Sequence, residues 1–97
     1  MEEVPMTPDA LQEAWSNIET ALKEAMEQYN FPIPSSVRAG IRATFSVSTL
    51  VKSGLLTQQE GKLFHDIRAF KEGHTQWTGD YTVIEAAWLL AEYIREA

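Results

Sequence analysis

The sequence predicts an all-α fold, an up-and-down bundle of four main helices in one domain over residues 1–97, with its core within residues 8–96. Three observations predict it. Apolar residues recur at three- and four-residue spacing through each long segment. Capping residues, glycines and prolines punctuate those segments. No β-rich run, internal repeat or low-complexity tract supports another class.

In the first helix Thr7 is placed to cap and Pro8 to stand first, a position where its missing N–H costs nothing. Leu11, Ala14, Trp15, Ile18, Leu22, Ala25, Met26 and Tyr29 then form one apolar stripe. Pro32 and Pro34 end that stretch by removing donors and holding their predecessors extended. A second helix is expected from Ser35 or Ser36 to about Ser53, with Val37, Ile41 and Phe45 on one face and Val47, Leu50 and Val51 on another. Thr44, Ser46, Ser48 and Thr49 lower its helix propensity, so a bend or break is expected near residues 44–48.

Gly54 is placed as a C-terminal cap, and Thr57 to Glu60 as a capping box opening the third helix. Its inward face is Leu63, Phe64, Ile67 and Phe70, and Gly73 is its stop. A second box, Thr82 to Glu85, opens the last helix. There the polar residues Glu85, Glu92 and Glu96 occupy one narrow strip and apolar residues cover the rest. A helix of that kind is buried on more than one side, so it is either central or part of a subunit contact. Trp15 and Trp88 are both expected in the core.

A chain of 97 residues can bury one modest core unaided. It has no cysteine, which excludes a disulfide framework, a thiolate zinc site and a cysteine nucleophile. No segment reaches the roughly 20 apolar residues of a membrane span, and Met1–Pro5 lacks the character of a signal peptide. The expectation is a cytoplasmic protein with no membrane association and no cofactor. Net charge is -6, unevenly distributed: residues 1–37 carry -6, residues 72–97 carry -4, and residues 38–71 carry +4. The central bases are Arg38, Arg42, Lys52, Lys62, Arg68 and Lys71. They form either a local basic surface or the solvated faces of two helices.

Motifs exclude more than they assign. There is no glycine-rich phosphate loop, no nucleophile elbow and no zinc helix. His65 and His74 are the two histidines, and neither has metal-ligand spacing, so no metal site is expected. The informative stretch runs from Asp66 to His74, where Arg68 near the end of the third helix is followed six residues on by His74.

With Ala14, Trp15 and Glu19 in the first helix, Leu50 and Gly54–Thr57 with Glu60 around the entry to the third, Arg68 and His74 closing it, and Glu85 and Ala86 opening the last, the chain resembles the HEPN superfamily over residues 10–95. The resemblance implies a homodimer that brings two Arg-His pairs into one cleft and cuts RNA without a metal. Such domains serve as toxins or in defence against phage. By this resemblance His74 is general base or acid and Arg68 the phosphate clamp, with Lys71, His65 and Trp77 as substrate-binding candidates. The residue types suit the chemistry: an imidazole can take a proton from a ribose 2′-hydroxyl, and a guanidinium stabilises charge gathering on phosphate. Ala69 stands where the family's motif carries Asn, Asp or His, and His65, one turn before Arg68, is the candidate replacement.

Each residue also has a structural reading. Arg68 can pair with Glu72 four residues later, and His74 can serve only to end the helix. The second functional class is therefore a non-catalytic module that binds a protein partner, or inhibits a nucleic-acid-binding machine, through its acidic faces and Trp77.

Overall fold

The computed structural model describes residues 8–74, 76 and 82–97. Thr7, the expected first cap, and Trp77 lie outside the described residues, as do the other loop positions 75 and 78–81. Four α-helices follow in order, α1 (Pro8–Gln28), α2 (Arg42–Lys52), α3 (Gln58–Lys71) and α4 (Val83–Glu96), with a 3-10 turn at Ala39–Ile41 leading into α2. The described residues contain no strand, and the all-α bundle expected from the sequence is what forms.

The helices neighbour one another as a ring: α1 beside α2, α2 beside α3, α3 beside α4, and α4 beside α1, which is the most extensive contact. That contact is built from small residues. Ala14, Ala21 and Ala25 of α1 and Ala86, Ala87 and Ala91 of α4 are all buried, and short side chains let two helix axes approach closely. Ile18, Leu22, Leu90 and Ile94 fill the space around them. The Tyr29 hydroxyl donates to the Ala97 carbonyl, so α1 and α4 end side by side. Ala87→Leu is expected to cost about 1–3 kcal/mol, because Ala87 is fully buried and has no exposed edge into which a larger side chain can turn. Urea unfolding checks this: the midpoint falls with the slope unchanged.

The ends of α1 and α2 share one device. At each, a residue of positive φ, Asn30 (58°) or Gly54 (80°), follows the last helical turn. The next residue's N–H then reaches back five residues, Phe31 to Met26 O at 2.9 Å and Leu55 to Leu50 O at 3.0 Å. This satisfies orphan carbonyls, and in both cases the residue that turns back, Phe31 or Leu55, is apolar and packs on the core.

The second helix departs from expectation. It begins at Arg42 rather than Ser35 or Ser36, and it runs unbroken through residues 44–48. Residues 35–38 form a turn and an extended step instead, and Ile41, expected on one apolar face of the helix with Val37 and Phe45, precedes it and is 45% exposed. Two of the hydroxyls that lower its propensity bond back within it, Ser46 to Arg42 O and Thr49 to Phe45 O, and Ser53 at its C-terminal end does the same to Thr49 O. Burial of Val47 and Leu50 then outweighs propensity. The third helix opens as expected, with the Thr57 hydroxyl accepting from Glu60 N–H at 3.1 Å and Glu60 accepting from Thr57 N–H at 2.8 Å.

Trp15 is buried as expected and stacks on Phe64, ring centroids 5.1 Å apart. Trp88 is not in the core. It is 41% exposed, because α4 turns Val83, Ile84, Ala87, Leu90, Ala91 and Ile94 towards α1 and α3, leaving Trp88 on its outer side. No helix among the described residues is long and apolar enough to cross a membrane.

Candidate functional site

The candidate site grows from the end of α3. Gly73 takes φ +78° just past the helix, and its N–H donates to Phe70 O at 3.0 Å while His74 N–H donates to Ala69 O at 2.9 Å. This is the same turn that ends α1 and α2, with one difference. There the residue that turns back is apolar and packed; here it is His74, with a side chain 70% exposed. Helix termination alone does not call for an imidazole at that position, since its backbone makes the capping bond.

The turn folds His74 back beside Glu72. Nε2 of His74 lies 3.3 Å from one carboxylate oxygen of Glu72, and the other accepts from Nε of Arg68 at 3.0 Å. Arg68 and His74, six residues apart in sequence, thus meet on a single carboxylate. Arg68 also reaches across to α2, donating from a terminal nitrogen to the Thr44 hydroxyl at 2.9 Å. The guanidinium is thereby held between two helices, and its side chain is 30% exposed. Thr44 could not be found from sequence, because 24 residues separate it from Arg68. Glu72 was visible as a helical partner of Arg68, but its approach to His74 depends on the turn at Gly73.

Of the other predicted site residues, Trp77 lies outside the described residues, and Lys71 and His65 point elsewhere. Lys71 turns towards α1, its ammonium 5.4 Å from the centre of the Trp15 ring. Such a cation–π contact favours an orientation towards α1, whereas Arg68 reaches to α2. His65 is exposed one turn before Arg68, edge-on to Phe64 at 5.4 Å, and lines a groove between α2 and α3. It takes no part in the contacts that join Arg68 and His74.

No family model, curated protein or solved structure matches this chain. The functional reading therefore rests on the side chains themselves.

The central bases do not merge into one surface. Arg42 faces a pocket with Glu19 and Lys23 between α1 and α2, while Lys52 and Lys62 flank the α2–α3 groove. Lys62 makes an exposed pair with Asp66 at 3.3 Å. Pairs of that kind contribute little to stability.

Gly73→Ala is expected to lower stability by about 1–2 kcal/mol, because a Cβ disfavours the left-handed region. Asparagine, which tolerates that region, recovers most of the loss. Urea unfolding of both variants separates backbone strain from loss of a side-chain contact, since nothing stands within 4 Å of a Cβ at Gly73.

Proposed function

We propose that this domain is a HEPN-like, metal-independent endoribonuclease that works as a homodimer in a toxin or phage-defence setting. The observation that supports it best is the convergence of Arg68 and His74 on Glu72 at the open end of α3. With its proton on Nε2, the nitrogen 3.3 Å from Glu72, His74 keeps the Nδ1 lone pair to accept another. That nitrogen takes the proton of a ribose 2′-hydroxyl. The O2′–P bond forms as the P–O5′ bond breaks, and the 5′ oxygen leaves with a proton from water or from a second copy's imidazole. Arg68 stabilises the charge that gathers on the phosphoryl oxygens. The products are a 2′,3′-cyclic phosphate and a 5′-hydroxyl. Glu72 orients His74 as a carboxylate orients the imidazole of a catalytic triad, and so fills the role that Ala69 cannot.

The test is RNA cleavage by the purified protein in excess chelator. Chelator-resistant cleavage giving cyclic-phosphate ends is expected, and a 2′-deoxy substitution at the scissile position abolishes it. A strictly monomeric protein would remove the composite cleft.

One observation favours a second reading, a non-catalytic module that binds a protein partner. Glu72 and Thr44 already engage the Arg68 guanidinium, and a carboxylate beside it opposes an incoming phosphate. Absence of cleavage by a folded, dimeric wild type would select that reading.

A further inference from the structure

Two surfaces outside the Arg68–Glu72–His74 cluster are opposite in character. The first is the outer side of α4. Trp88 is 41% exposed there, with the exposed Glu85 and Glu92 one turn before it and one turn after, and Glu96 a turn further on. The second is a groove of about 420 Å³ between α2 and α3. Its floor is Val47, Val51 and Gly61, and its rim carries Lys52 from α2 and Lys62 and His65 from α3. At Gly61 the two helices lie close together: a Cβ there would stand 3.1 Å from Val51 Cγ2.

We propose that these surfaces are the two halves of one contact between copies of this chain. Trp88 of one copy lies in the α2–α3 groove of the next, with Glu85 and Glu92 set against Lys52 and Lys62. An apolar centre between carboxylates meets an apolar floor between ammonium groups, so polarity and charge agree. The fold uses neither half, since α4 packs through its opposite side and α2 and α3 meet beneath the groove. The exposed Lys62–Asp66 pair presents no barrier, being too weak to hold Lys62 from a second carboxylate. A second copy is favoured over RNA because the floor is apolar and the domain's net charge is -6.

Helix α4 touches α1 and α3, whereas the groove opens between α2 and α3, so the two halves face different directions. The contact is therefore head-to-tail rather than two-fold symmetric. One helix face in one groove falls below the roughly 1,200 Å² of a stable interface, so the association is weak and dependent on concentration. This proposal does not rest on the ribonuclease reading and requires no catalysis.

The experiment is sedimentation velocity of the full chain from about 10 μM to about 1 mM, at low salt and at about 1 M salt, where the screening length is roughly 3 Å. Mass should rise with concentration and the rise should collapse in high salt. Trp88→Ala and the double variant Lys52→Glu/Lys62→Glu, all at exposed positions and checked for unchanged circular dichroism, should each lose the rise, at least 10-fold in association constant. Mixing the two variants should restore one contact only, because one intact groove meets one intact Trp88, and growth should stop there. A wild-type mass independent of concentration would overturn the proposal, as would a salt-sensitive rise in mass with concentration that survives in both variants, or variants that fail to join on mixing. Groove amide signals that shift with single-stranded RNA or an unrelated acidic peptide, but not with the chain's own concentration, would give the groove to that ligand and overturn it too.

Discussion

His74→Ala is expected to slow RNA cleavage by about 10²–10⁴-fold, the usual contribution of a positioned acid–base group. Its effect on stability should be small, because the imidazole side chain is 70% exposed and the capping bond at this position is made by the backbone. Arg68→Ala is expected to cost about 10²–10³-fold, as does removal of one donor aimed at developing charge. It also releases Thr44 and Glu72, so a modest loss of stability of about 0.5–1.5 kcal/mol accompanies it. Arg68→Lys separates the two effects: it keeps the charge but not the fork that spans Thr44 and Glu72. Single-turnover cleavage beside urea unfolding is the measurement. Full activity in His74→Ala would remove His74 from the mechanism and with it the HEPN-like assignment of the cleavage.

The second large effect is on the core. Phe64→Ala should reduce the unfolding free energy by about 3–5 kcal/mol, against a total of about 5–15 for a domain of this kind. Phe64 is 1% exposed, stacks on Trp15 and lies beneath the edge of His65. Its removal leaves a cavity at the meeting of α1 and α3 that neither backbone can close without disturbing the rest of the bundle. Each kcal/mol lowers the melting temperature of a domain this size by about 4–8 °C, so a thermal scan reads the result directly. A loss below about 1 kcal/mol would mean that the α1–α3 contact through Trp15 is not part of the cooperative core.

How much was legible in the sequence depended on how local the deciding interaction was. Thr57 and Glu60 announced the start of α3 because a capping box needs only four consecutive residues. Gly54 and Gly73 announced helix ends because positive φ is costly for most other residues. The core stripe of α1 followed from period alone, as did burial of Trp15. The start of α2 did not. Ser35 and Ser36 look like caps, and the hydroxyl-rich run after them looks like a break, yet α2 starts at Arg42 and continues through that run. Whether a serine caps a helix or bonds back inside one is decided by what the helix buries, which local sequence does not record.

The same division holds at the candidate site. Sequence by itself determined the four-helix all-α class, the capping box of α3 and the stop at Gly73, because each rests on spacing along one chain segment. Only the tertiary structure decided that Thr44 anchors Arg68, that Lys71 turns to Trp15, and that Trp88 faces outward. Helical periodicity says which residues share a face, but an apolar residue at the edge of a wide stripe is covered only if a neighbour reaches it. For Trp88 on α4, neither α1 nor α3 does.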